Sequence, residues 1–181
     1  PAYLLDVVGI DTAHHVGEVL AAGFPDRMSF EEKSSLDALY EAQRYGQKNS
    51  LGYYQYSPDR KGKPKKAVDP AVKGLLAPIQ IGEAIEVDDQ EILDRLMIPM
   101  IIETARCLEE GIVDTPNEAD MGLIFGIGFP PFHGGAFKYV DRIGLRAFCE
   151  RAQSFAHLGP LYQPTEKMLA MAESDESYYG N

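Results

Sequence analysis

The sequence is poor in the groups that usually carry chemistry. It holds two cysteines and four histidines in 181 residues. Cys107 and Cys149 stand far apart inside helical patterns, and no C-x-x-C occurs. A disulfide framework is therefore excluded, and a reducing, cytoplasmic setting is expected. None of His14, His15, His133 and His157 has metal-ligand spacing to another donor, so no metal site is expected. Positive charge is also scarce: 17 Lys and Arg stand against 28 Asp and Glu, for a net charge of −11. Such a surface repels phosphate backbones and argues against nucleic-acid binding. No apolar run is long enough to span a bilayer; the longest reaches only from Leu96 to Ile102. There is no signal-peptide pattern and no initiator methionine. The sequence reads as a soluble piece of a longer polypeptide.

One dense glycine stretch, "GIGFPPFHGG" from Gly126 to Gly135, invites comparison with a dinucleotide-binding loop. That fingerprint needs G-x-G-x-x-G between a strand and a helix, with backbone N–H groups facing a pyrophosphate. Here Pro131 takes the third glycine position, and Pro130 and Pro131 have no N–H to offer. The residues before the stretch read as helix. No complete fingerprint occurs elsewhere, so no nicotinamide site is expected in this chain.

Helix signals dominate what is present. Ala2 to Val8 is short and apolar. Asp11 or Thr12 can cap a second helix ending near Gly23. A third, through Leu36, Leu39 and Tyr40, is expected to stop at Gly46. Gly52 to Tyr56, "GYYQY", is the one good strand candidate. The basic run "RKGKPKK", Arg60 to Lys66, is broken by glycine and proline. It reads as a solvated connector, or as a contact for an anionic ligand or an acidic neighbouring domain. Asp69 at N-cap and Pro70 at N1 open another helix.

The longest helix should run from Asp89 to Glu110, with apolar residues at helical spacing on both sides of Pro99, which should kink it. Thr115, Pro116 and Glu118 form an N-cap, a proline at N1 and a capping-box partner. Two helices follow the proline elbow, then a short one at "PTEKMLAMAE". The tail "SDESYYGN" is polar and is expected to fray.

Laid out in this way, the chain shows a repeat. "LLDVVGIDTAHHVGEVL" and "YVDRIGLRAFCERAQSF" share a short apolar helix, the joint Asp-x-[Val/Ile]-Gly-[Ile/Leu], and a second amphipathic helix. Asp6 answers Asp141, Gly9 answers Gly144, and Ile10 answers Leu145. Two helices and the elbow precede the second copy. Their absence before the first implies about 45 further residues upstream. The division expected is residues 1–78, a truncated first repeat with a connector, and 79–181, the second repeat.

No constellation of catalytic residues emerges. His133 sits in a turn with Gly134 and Gly135, where either a chemical or a turn role is open. His14 and His15 point to different helix faces, and the two cysteines read as small core residues. Glu103, Glu109, Glu110, Glu118 and Asp120 read as solvated faces and caps. Phe125, Phe129 and Phe132 give the elbow apolar area. It can anchor two helices or line a cleft for a fatty or thioester chain.

The segments "PAYLLDVVGIDTAHH", "GFPDRM", "GQKNSLGYYQY", "NEADMGLIFGIGFPPFHGGAFKYVDRIG" and "GPLYQPT" resemble the C-terminal part of the alpha subunit of the bacterial fatty-acid oxidation complex. The likeness runs along essentially the whole chain. It implies an all-α fold of two repeated helical domains. These are of the 3-hydroxyacyl-CoA dehydrogenase C-terminal type, like the C-terminal domain of 6-phosphogluconate dehydrogenase. It also implies a parent enzyme that joins enoyl-CoA hydratase/isomerase and NAD-dependent 3-hydroxyacyl-CoA dehydrogenase activities and pairs with a thiolase beta subunit.

In that family the dehydrogenase histidine and glutamate lie in an upstream Rossmann domain, which binds NAD, and the substrate asparagine lies in the first helix of the first repeat. None has a counterpart here, so no catalytic residue is assigned, and neither His133 nor His14 inherits the role. A substrate-contacting tyrosine before the GIGFP turn matches Phe125. Phe125 is thus the one candidate for acyl-CoA contact, with a core position as the alternative. The family segment G-x-K-x-G-x-G-F-Y matches here with departures at Ser50 and Tyr53. A helical scaffold with no catalytic association is the competing reading. The fragment alone is expected to be inactive.

Overall fold

A computed structural model describes residues 2–82 and 86–180. Among these residues the fold is helical apart from one two-stranded ribbon. The chain divides into two compact units, Pro1–Ile85 and Glu86–Asn181.

The first unit opens with α1 (Ala2–Val8) and α2 (Ile10–Gly23). They are separated by Gly9 alone, whose φ of 107° suits glycine. Gly9 itself is the N-cap of α2, and no side chain caps that helix. Asp11, expected as the cap, lies inside the first turn and instead accepts Lys48 Nζ at 2.6 Å. Thr12, the other expected cap, also lies within the helix.

The helix α3 (Ser35–Glu41) starts at a reciprocal capping box, Ser34 with Asp37. It ends well before Gly46, because the chain already turns back at Gln43, where φ is 55°. Gly46 instead precedes a 3-10 turn at Gln47–Asn49.

The strand expectation at "GYYQY" is met in part by β1 (Tyr54–Pro58). The expected basic loop is different in kind. Pro64–Val68 forms β2, antiparallel to β1, with Tyr54 opposite Val68 and Pro58 opposite Pro64. Asp59 closes the turn between them by accepting the N–H groups of Lys61 and Lys63. Lysine stems extend along a strand as readily as in a loop, so charge density hid the ribbon. The helix α4 (Ala71–Leu76) follows. Its cap residue is Pro70, with Asp69 one position earlier, still accepting the Ala71 N–H at 3.0 Å.

At the centre of this unit is a carboxylate. Asp6 is 1% exposed. It accepts the N–H groups of Tyr53 and Tyr54 at 2.8 and 3.0 Å and the Tyr56 hydroxyl at 2.8 Å. Gly46 and Gly52 approach so closely that a Cβ would fall 2.2 Å from the Asp6 carbonyl oxygen and 2.0 Å from its carboxylate, respectively. Ile10, Ala38 and Leu39 supply the apolar part of the core.

In the second unit, α5 (Asp89–Glu109) runs unbroken through Pro99. Asp88 caps it by accepting the Glu91 N–H at 2.7 Å. The helix α6 (Pro116–Ile127) has Thr115 as N-cap. The expected box is modified: Glu118 reaches past Thr115 to the N–H of Asp114 at 3.0 Å. Next come α7 (Ala136–Ile143), α8 (Leu145–Ser154) and α9 (Glu166–Glu173), the last capped by Thr165. One core gathers Ile98, Ile101 and Ile102 from α5 with Phe137, Val140, Phe148 and Met168. Burying side chains of this size is worth about 1.5–3 kcal/mol each.

Within the tail, Tyr178 and Tyr179 are tied down, against the expectation of fraying. Asp141 accepts the N–H groups of Tyr178 and Tyr179 at 2.9 and 3.0 Å. The Tyr178 ring packs on Phe137 at 4.1 Å between centroids. Aromatic area and two backbone bonds outweigh the polar composition of the segment.

Candidate functional site

The elbow is built from the end of α6 inward. Gly128 takes the left-handed conformation, φ 73°, and stops the helix; Gly126 lies within it. The Phe129 N–H turns back to the Leu123 carbonyl at 3.1 Å, and the Phe129 ring is buried. Pro130 enters a single 3-10 turn, Pro131–His133, and Gly134 and Gly135 carry the chain into α7 with φ of 81° and 110°. The His133 and Gly134 N–H groups are given to the Pro130 and Pro131 carbonyls. The N–H groups of Phe129, His133 and Gly134 are thus spent on the elbow's own turns, and Pro130 and Pro131 have none to offer, so the elbow is a poor fit for a dinucleotide pyrophosphate.

Behind the elbow sits Asp120, only 1% exposed. Reading it as a solvated acid or helix cap was incorrect: it is the buried hub that joins three segments. Its carboxylate accepts the N–H groups of Phe137 and Lys138 at 2.8 and 3.1 Å and the Tyr179 hydroxyl at 2.8 Å. Gly135 is the residue that lets it in, since a Cβ there would lie 2.3 Å from the Asp120 side chain. Asp120 and Gly135 together weld α6 to α7, so the elbow is a rigid support.

The elbow divides its aromatic residues. Phe129 points inward, while Phe125 and Phe132 are 80% and 78% exposed. Phe125 is therefore not a core residue of this unit. Gly122 lies one turn before it on the same helix face. Gly122 also borders an apolar groove of about 380 Å³, lined in addition by Met100, Cys107, Val113 and Leu123. The groove lies between α5 and α6, and Phe125, one turn beyond Gly122, is not among the residues that line it.

His133 is held in the elbow by aromatic contacts. Its ring lies 4.3 Å from Phe132 and 5.1 Å from Tyr139. Arg142 donates to Nδ1. Burial, and then the Arg142 charge, hold the imidazole below its ordinary value. A neutral ring facing a guanidinium has no nucleophile to activate, and its geometry is that of a turn residue. His14 is likewise engaged, stacked on Tyr40 at 4.1 Å and bonded to Asp37 at 2.9 Å. Burial pushes the Cys149 thiol up to about 11, with Glu150 adding to the shift, so it is no thiolate nucleophile. Among the described residues no group of three or more His, Cys, Asp or Glu could hold a metal. Nor is any described helix long and apolar enough to cross a membrane.

The repeat is carried further by the structure than by the sequence motif. Gly9 and Gly144 share the joint geometry, with ψ of 125° and 126°. Asp6 and Asp141 each accept two consecutive tyrosine amides, Tyr53–Tyr54 in one unit and Tyr178–Tyr179 in the other. The recurring "YY" was the available sequence signal, obscured because one copy looked like a strand and the other like a loose tail.

Residues 1–56 match the family model for the 3-hydroxyacyl-CoA dehydrogenase C-terminal domain. Over 180 residues the chain is 58% identical to fatty acid oxidation complex subunit alpha of Pseudomonas savastanoi pv. phaseolicola, covering 99% of this chain and 25% of that protein. The same subunit of Pseudomonas putida is 55% identical over 179 residues, again 99% of this chain and 25% of the relative. The chain thus spans about a quarter of the length of these curated relatives.

Among solved structures, the fold matches the dehydrogenase part of multifunctional enzyme 1 from C. elegans. The TM-score is 0.62 at 22% identity, over 94% of this chain and 38% of that one. It also matches 3-hydroxybutyryl-CoA dehydrogenase from Escherichia coli, with a TM-score of 0.65 at 15% identity, over 97% and 51%. Over nearly its whole length, then, the chain corresponds to the C-terminal part of fatty acid oxidation complex alpha subunits, and it has the helical fold of 3-hydroxyacyl-CoA dehydrogenase C-terminal domains.

Proposed function

We propose that this chain is the helical C-terminal region of a 3-hydroxyacyl-CoA dehydrogenase within a multifunctional fatty-acid β-oxidation enzyme. The parent polypeptide would carry NAD on a Rossmann domain and a hydratase/isomerase domain besides, and would assemble in the cytoplasm with a thiolase subunit. The role of the present residues is to support these domains and to supply an apolar wall for the acyl-CoA substrate. NAD, when bound elsewhere in the enzyme, accepts the hydride. The residues here position the substrate and keep water from its acyl chain.

The observation that carries this reading is Phe125. A phenylalanine that is 80% exposed beside a rigid elbow supports a contact with something outside its own unit. The test uses the full-length enzyme. Phe125→Ala should raise KM for a 3-hydroxyacyl-CoA several-fold with little change in kcat or melting temperature, and Phe125→Tyr should retain most of the affinity. An unchanged KM in the alanine variant would withdraw Phe125 as a substrate residue.

A further inference from the structure

Both units are closed by a segment of one design. A left-handed residue, Ser50 at φ 66° in the first and Asp175 at φ 54° in the second, stands three residues before the tyrosine pair whose amides bind Asp6 or Asp141. Aligned on those pairs, Gly46, Lys48, Ser50 and Gly52 answer Met171, Glu173, Asp175 and Ser177. The backbone agrees: the Gly46 N–H reaches the Leu51 carbonyl, and the residues at that register, Met171 and Glu176, are joined by a bond of opposite sense. Two closing segments of the same design in one chain create a hazard. Exchange of like elements costs little and is a characteristic failure of repeat proteins.

Two details separate the segments. The first is charge. The second residue of the helix after the joint glycine is Asp11 in one unit and Arg146 in the other. Asp11 accepts Lys48 Nζ at 2.6 Å, and Arg146 donates to Asp175 at 2.8 Å. The ion pair thus recurs with its polarity reversed. All four side chains are at least 37% exposed, so neither pair adds much stability by itself. The second detail is size. A Cβ on Gly46 or Gly52 would overlap Asp6, and the second segment has Met171 and Ser177 at those places.

We propose that the reversed ion pairs and the two glycines direct each closing segment to its own unit and so bar their exchange within a chain or between chains. On α1–α2, segment 171–179 would bring Glu173 and Asp175 to Asp11 and press the Met171 and Ser177 side chains into Asp6. On α7–α8, segment 46–54 has no such steric bar, because its glycines are the smaller residues. There the obstacle is Lys48 beside Arg146. Wrong pairing loses an attraction and gains a repulsion, which is how close alternatives are told apart. This inference concerns folding and stands apart from the substrate role of Phe125.

The test reverses the pairs in the full-length polypeptide. Arg146→Glu with Asp175→Lys keeps an ion pair in the second unit but gives it the polarity of the first. Asp11→Lys with Lys48→Glu does the converse. In either variant, residue 48 is attracted to residue 146 of the wrong unit. Each should at least about halve the fraction of expressed protein that elutes at native size in size-exclusion chromatography, the remainder forming larger, cross-paired species. Reversing both pairs together restores the opposition, and recovery should return close to wild type. The native-sized protein should melt at nearly the same temperature in every variant, which separates wrong pairing from lost stability. Wild-type recovery in both two-site variants, or a four-site variant that recovers no better than they do, would overturn the proposal.

Discussion

The carbonyl oxygen of Arg95 accepts the hydroxyl of Tyr162 at 3.0 Å. In an unbroken α-helix that carbonyl would take the N–H of residue 99, and Pro99 has none to give. The tyrosine, presented by the 3-10 turn Pro160–Tyr162, fills the gap that proline opens. An interior proline costs about 3 kcal/mol, and this bond offsets part of it.

A double-mutant cycle follows. Tyr162→Phe should cost about 1 kcal/mol in the native background. With Pro99→Ala present, the restored N–H serves Arg95 and the same change should cost less, giving a coupling of at least about 0.5 kcal/mol. Denaturant melts of the four proteins measure it; additive effects would show that the carbonyl does not need Tyr162.

Tyr178 and Tyr179 are neighbours with opposite expectations. The Tyr179 hydroxyl is bonded to Asp120 at 2.8 Å, whereas the buried Tyr178 hydroxyl has no partner among the described residues. Tyr179→Phe should lose about 1.5–3 kcal/mol, as a bond to a charged group does, while Tyr178→Phe should be neutral or gain up to about 1 kcal/mol. Equal destabilisation of the two variants in thermal melts would contradict this assignment.

Ser50 holds a left-handed conformation, with φ of 66°. It stands where the family pattern has glycine. That backbone costs an L-residue about 1–2 kcal/mol, and glycine loses part of the gain to unfolded-chain entropy. Ser50→Gly should therefore stabilise the first unit by about 0.5–1 kcal/mol. Chemical denaturation checks it; a loss of stability would mean that the serine side chain contributes more than its strain costs.

The pH response of the second unit should carry a histidine signature. Burial, and then Arg142, lower the His133 pKa in the folded state. Its contribution is therefore complete above the unfolded value of about 6.5 and is lost as pH falls from there toward the folded pKa. Between about pH 7.5 and 5, wild type should lose melting temperature relative to His133→Gln. The effect should be small because the ring is partly exposed; parallel curves would remove His133 as the cause.

These features differ in how far the sequence exposes them. Helices announced by period and cap, such as α5 and α6, could be placed because their signals are local. Thr115 is the clearest case, since its cap partner is only three residues away. The Asp6 and Asp120 hubs could not be placed in this way. Their donors are 47 residues away at Tyr53 and 17 at Phe137, and no local pattern reports a contact made by chain closure. The buried Asp120 looked like a surface acid for the same reason. Phe125 could be picked out from its motif, but its exposure depends on Gly128 and the elbow turning the chain after it.

Among the described residues the ribbon β1–β2 has only two strands. The outer edge of β1 is engaged by the preceding segment, where the Gly52 N–H reaches the Tyr54 carbonyl and the Tyr56 N–H reaches the Ser50 carbonyl, so the bare edge is that of β2. Bare edges recruit strands from other molecules. Here Pro58 and Pro64 face each other at the turn end and offer no N–H, and Lys65 and Lys66 follow along β2. An incoming strand would meet missing donors and then cations that it must desolvate. The lysine-rich run can therefore act without any ligand at all, by keeping an exposed ribbon from nucleating aggregation in a crowded solution.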